Sequence, residues 1–135
     1  MSIVIDASVA LKWVFDEPGI EAALALREEQ LIAPALWLAE AANALWRHAR
    51  LGEISPEEAL ARMSALARAP VASLAFELLV GRGLGLANEL RHPVYDCIYL
   101  ALALHYDTHV VTDDRRFASA ASLAGLADRV RLLAP

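Results

Sequence analysis

Two short apolar runs in the chain are β-branched and end on a polar residue. Ile3-Val4-Ile5 stops at Asp6, and Val110-Val111 stops at Thr112. A weaker run, Leu31-Ile32-Ala33, is closed by Pro34. Runs of this length and composition predict buried strands, and residues 71–75 and 130–132 can supply two more. Between them the pattern turns helical. Residues 35–50 contain almost no breaker, and Ser55-Pro56-Glu57-Glu58 combines an N-cap serine, a proline at the first helical position and a capping-box glutamate. Pro93 opens an apolar helix running to about His105. Strands alternating with helices predict a parallel, layered α/β domain. The stretch Gly81-Arg82-Gly83-Leu84-Gly85 lacks the Gly-Lys-Ser/Thr of a phosphate loop and does not open a helix after the first strand, so a kink or break between two helices is expected there.

At 135 residues, one domain spanning 1–135 is expected. The chain is 58% hydrophobic, with 28 alanines and 23 leucines. That exceeds the roughly 45–50% of average soluble domains and suggests that some apolar surface faces another subunit. No apolar run approaches the ~20 residues needed to span a bilayer. The N-terminus carries no basic stretch before an apolar segment, so a cytoplasmic protein is expected. Cys97 is the single cysteine, which excludes an internal disulfide and a cysteine-rich zinc site; inside an apolar run it reads as a small buried hydrophobe. A net charge of −5 argues against a broad basic nucleic-acid face, though not against a small RNA-binding site.

The chemistry lies in solitary acids within segments built for burial. Asp6 ends the first strand. Between Leu36 and Trp46 the only polar residues are Glu40 and Asn43, whose i, i+3 spacing puts them on one helix face. Asp96 is the only charge from Pro93 to Leu104, in the first turn, where the helix dipole favours an anion. Thr112-Asp113-Asp114 follows a strand, and parallel sheets bind ligands beyond the carboxyl ends of their strands. A buried carboxylate needs a compensating partner. Lys12 and His48 are the nearest bases in sequence, too few for four acids. A hard divalent cation, magnesium or manganese, suits them, with Ser8, Asn43 and Thr112 oxygens assisting. The alternative is that each acid caps a helix or pairs with an arginine. Trp13, Trp37 and Trp46 either stack on bases or serve as core and interface residues.

The segments Ile5-Asp6-Ala7-Ser8, Glu40-Ala41-Ala42-Asn43-Ala44-Leu45, Tyr95-Asp96-Cys97-Ile98-Tyr99-Leu100-Ala101-Leu102-Ala103 and Thr112-Asp113-Asp114-Arg115-Arg116-Phe117 together resemble PIN-domain proteins of the VapC type, across essentially the whole chain. The resemblance implies an α/β/α sandwich around a parallel sheet and a metal-dependent endoribonuclease that is the toxin of a VapBC-type pair. It places the metal-binding acids at Asp6, Glu40, Asp96 and Asp114, with Ser8, Asn43 and Thr112 in support. Family members often have a small residue where Asp113 stands, so Asp113 either shares the work in a supporting role or faces solvent, and Asp114 is the favoured ligand. It further implies Mg2+ or Mn2+ as cofactor, a homodimer, and a VapB-like antitoxin that covers the groove. In such a site Arg115 or Arg116 would contact backbone phosphate; a solvated helix face is the plainer role for that pair. Two other readings are a non-catalytic PIN-like binding module and a haloacid-dehalogenase-type phosphatase. The latter would use Asp6 as nucleophile but finds Ser8 where a second acid or threonine is wanted. A receiver domain would need a late lysine, and the only lysine is Lys12.

Overall fold

The computed structural model describes residues 2–134. Five parallel strands, β1 (Ser2–Ile5), β2 (Gln30–Pro34), β3 (Val71–Leu74), β4 (Val110–Thr112) and β5 (Val130–Leu132), form one sheet in the order β3-β2-β1-β4-β5. Val4 of the central strand stands opposite Ile32 on one side and Val110 on the other. A strand hydrogen-bonded on both sides and covered on both faces tolerates only apolar residues. This is why β1 reads Ile-Val-Ile, while edge strand β3 exposes Ala72 and Ser73.

Helices cover both faces, giving the three-layer α/β/α sandwich that the sequence predicts. Val110 belongs to the main core, whereas Val111 packs with Val9 and Ala23 in a separate cluster. Successive strand residues point to opposite faces, and Val4 and Ile5 of β1 are both buried, so the sheet is covered on both sides. The elements between strands are α1 (Ala7–Ala10), α2 (Ile20–Ala25), α3 (Leu36–Arg50), α4 (Pro56–Ala67), α5 (Val80–Leu90), α6 (Val94–His105) and α7 (Arg115–Leu123). The predicted start at Ser55 is present as a complete capping box, Ser55 Oγ accepting from the Glu58 amide and Glu58 Oε1 from the Ser55 amide. Pro93 is the N-cap of α6 rather than its first residue. From Cys97 to Ala103 every residue of that helix is buried, which makes α6 the central helix of its layer.

The expected break at Gly81–Gly85 is absent, because α5 runs unbroken through all three glycines. The reason is packing. A Cβ on Gly83 would lie 3.0 Å from Ile98 Cγ1 and 3.4 Å from the Ile98 backbone nitrogen, so the missing side chain lets α6 approach α5 closely.

Strand order reverses at β1: the chain moves outward through β2 and β3, then returns to β4 and β5 on the other side. The crevice at such a switch point is left open by the crossovers on either side. It lies between the ends of β1 and β4, where Asp6 and the Thr112–Asp114 segment emerge.

Candidate metal centre

Asp6 is 6% exposed and occupies the N-cap position of α1 without capping it through its side chain. Its Oδ2 instead accepts from Thr112 Oγ1 at 2.7 Å and Ser8 Oγ at 3.0 Å. Burial, followed by the charge of Asp96, pushes its carboxyl up to about 6 against the lowering effect of those hydrogen bonds. Glu40 projects from α3, and Tyr99 on α6 donates to its Oε1 at 2.6 Å. Burial raises Glu40 to about 7; the Tyr99 bond opposes this, and the charges of Asp6 and Asp96 add to it. Asp96, in the first turn of α6, is raised by burial and by Asp114, and lowered by its bond to His92. The charges of these acids thus reach across elements: Asp96 raises Asp6, Asp6 and Asp96 raise Glu40, and Asp114 raises Asp96.

Asp114 caps α7, its Oδ1 accepting from the Arg116 and Phe117 amides. To that extent the capping alternative holds for one acid of the four. Its carboxylate nevertheless comes within 4.8 Å of ligand atoms on Asp96 and His92. Asp113 turns away: its Oδ2 meets Lys12 Nζ at 3.2 Å, and Lys12 also binds Glu17 and the Pro18 carbonyl. His48, the other base near in sequence, pairs with Glu53. Ser8 ties the two strand ends together, because its Oγ also accepts from the Asp113 amide. Asn43 is exposed and lines a groove of about 370 Å3 with Glu40 and Tyr95. Arg115 and Arg116 are exposed at the start of α7. Trp37 is core, 2% exposed, with its indole N–H on Ser73, whereas Trp46 is 56% exposed. Burial pushes the Cys97 thiol up to about 11, which leaves it an inert apolar filler.

Among the described residues no lysine or arginine forms an ion pair with Asp6, Glu40, Asp96 or Asp114. A set of carboxylates with hydroxyl support, whose one basic partner is His92 on Asp96, fits a hard divalent ion. Residues 3–123 match the PIN domain family. The chain belongs to that family. PIN domains are generally metal-dependent nucleases, and membership displaces the phosphatase alternative. The crystal structure of PAE2754 from Pyrobaculum aerophilum is similar to this PIN domain with a TM-score of 0.71 and 25% identity, covering 89% of this chain and 79% of that one. No curated protein matches the sequence.

Two residues that contact these acids, Tyr99 on Glu40 and His92 on Asp96, escape the sequence reading. Tyr99 stands three positions after Asp96 on the same helix, a spacing that could have flagged it. His92 precedes Asp96 by four residues but lies before Pro93, outside the predicted helix, so helical spacing did not apply.

Proposed function

We propose that this chain, acting as one PIN domain over residues 1–135, is a Mg2+- or Mn2+-dependent endoribonuclease and the toxin of a VapBC-type pair. The observation that supports this reading is that Asp96 and Asp114 offer ligand atoms within 4.8 Å of each other, that Asp6 and Glu40 lie near enough for the charge of Asp96 to raise both, and that none of the four pairs with a lysine or arginine among the described residues. Asp6, Asp96 and Asp114 would hold the ion, which when bound supplies an activated water and relieves charge on the phosphorane. Glu40, oriented through Tyr99, is a further ligand or the acceptor of the water's proton. Arg115 or Arg116 contacts backbone phosphate, and the groove of Glu40, Asn43 and Tyr95 receives the RNA beside the scissile bond.

An apolar groove between α3 and α4, lined by Leu45, Trp46, Leu60 and Met63, with Leu60 71% exposed, supports a protein partner. In this reading the partners are a VapB-like antitoxin and a second copy of the chain in a cytoplasmic homodimer. The test is to incubate the purified protein, free of partner, with a pool of structured RNAs in Mg2+ or Mn2+ and in EDTA, beside Asp6→Asn and Asp96→Asn. Cleavage that needs the metal and vanishes in both variants is expected. A folded, metal-loaded protein that cuts none of the pool would count for the binding-module reading.

A further inference from the structure

The polar contacts of the acid cluster share one design. Each carboxylate has one oxygen engaged by protein donors: Asp6 Oδ2 by Ser8 and Thr112, Glu40 Oε1 by Tyr99, Asp114 Oδ1 by two amides, and Asp96 Oδ2 by His92 Nε2 at 2.5 Å. Three of these donor sets are built from hydroxyls or amides that are part of the local fold. The fourth is a histidine from a loop, and the backbone there is arranged around it.

Arg91, which ends α5, sits at φ 53° and ψ 50°, a left-handed conformation costly for a residue with a side chain. That turn reverses the chain and directs His92 onto the first turn of α6, with the His92 amide on the Ala87 carbonyl at 3.2 Å. The imidazole stacks on Phe117 with centroids 5.2 Å apart and planes 14° from parallel, and Phe117 is fully buried. His92 and Asp96 side chains are only 10% and 19% exposed. The ring is therefore held by the helix that Asp114 caps while its Nε2 holds Asp96.

We propose that His92 is the positioning residue of the metal centre: it fixes the rotamer of Asp96 and the separation of Asp96 from Asp114, so that both present an oxygen to one divalent cation. The proposal rests on the nuclease reading above and adds to it a residue outside the acidic set. Donation needs only a proton on Nε2, which the neutral tautomer supplies. Hydrogen-bond partners of metal-binding carboxylates typically govern metal affinity by about 10–100-fold.

The test measures Mn2+ affinity from the EPR signal of the free ion, with thermal melts of the metal-free proteins as a fold control. His92→Phe keeps a ring on Phe117 but removes the donor, and His92→Gln restores a donor without the ring. Mn2+ affinity is expected to fall about 10–100-fold in His92→Phe and to recover in large part in His92→Gln, with metal-free melting little changed. If the phenyl variant does not fold, His92→Leu carries the same comparison. Wild-type affinity in the donor-free variant overturns the proposal. So does a strong 14N coupling on bound Mn2+ in the wild type, since it would make His92 a ligand instead. Wild-type protein that takes up no Mn2+ overturns the nuclease reading as well, whereas Mn2+ binding and cleavage indifferent to His92 overturn the positioning role alone.

Discussion

Folding makes Asp6 harder to ionise, moving its carboxyl from 3.8 to about 6 by burial and by the nearby charge of Asp96. Between those values the folded state keeps a proton that the unfolded state has released, so metal-free stability falls as pH rises. The contribution is fully present below about 4 and lost above about 6. Thermal melts in EDTA should therefore show a higher midpoint at pH 5 than at pH 7.5. Asp6→Asn should be more stable than wild type at pH 7.5 without metal, by about 1–3 kcal/mol, since a shift of two units corresponds to that order. The same substitution should cost cleavage two orders of magnitude or more, about 3 kcal/mol of barrier. A variant more stable yet inactive separates a ligand from a structural carboxylate. Asp6, Glu40 and Asp96 stand out as candidates because each is a solitary charge in an apolar segment, whereas Asp114, flanked by Asp113, Arg115 and Arg116, is marked only by its place after a strand and by the family resemblance. Asp113 and Asp114 were not distinguishable by burial pattern, and it is the ion pair with Lys12 that draws Asp113 away. Such long-range pairings leave no trace in spacing.

At the scale of elements, the three glycines of α5 make opposite predictions. Nothing lies within 4 Å of a Cβ placed on Gly81 or Gly85. Gly81→Ala and Gly85→Ala should each stabilise by about 0.5–1 kcal/mol in denaturant titrations through helix propensity. Gly83→Val should destabilise by about 1–3 kcal/mol, because α6 would have to move. Since α6 also carries Asp96 and Tyr99, that variant should lose cleavage beyond its loss of stability. Destabilisation by Gly81→Ala to the same extent would contradict the packing account. The strands and α3, α4 and α6 were readable from apolar runs, caps and prolines. The continuity of α5 was not, since Gly-x-Gly-x-Gly signals a break locally and only the neighbouring helix shows why it persists. The short α1 and α2 lack periodicity and are held by tertiary contacts, with Val9 and Ala23 buried against Val111.

For the whole molecule, the parallel order β3-β2-β1-β4-β5 places the ends of β1 and β4 side by side at the switch point. The alternation of strands and helices gave the layered class, but not which strand ends meet; that follows from strand order. If the chain is the proposed nuclease, its net charge of −5 and the acids in this crevice would make RNA approach depend on a divalent ion rather than on a basic face. RNA affinity measured by fluorescence anisotropy should therefore be at least about tenfold, or 1.4 kcal/mol, greater in Ca2+ than in EDTA at matched ionic strength. Equal affinity in the two buffers would point to binding elsewhere on the surface. Whether the four carboxylates build one cation site can be read from anomalous scattering by a crystal soaked in Mn2+. A manganese peak is expected in the crevice within about 2.0–2.4 Å of oxygens from both Asp6 and Asp96, with Asp114 or Glu40 adjoining. A well-ordered crystal whose only manganese lies away from Asp6 and Asp96 would contradict it.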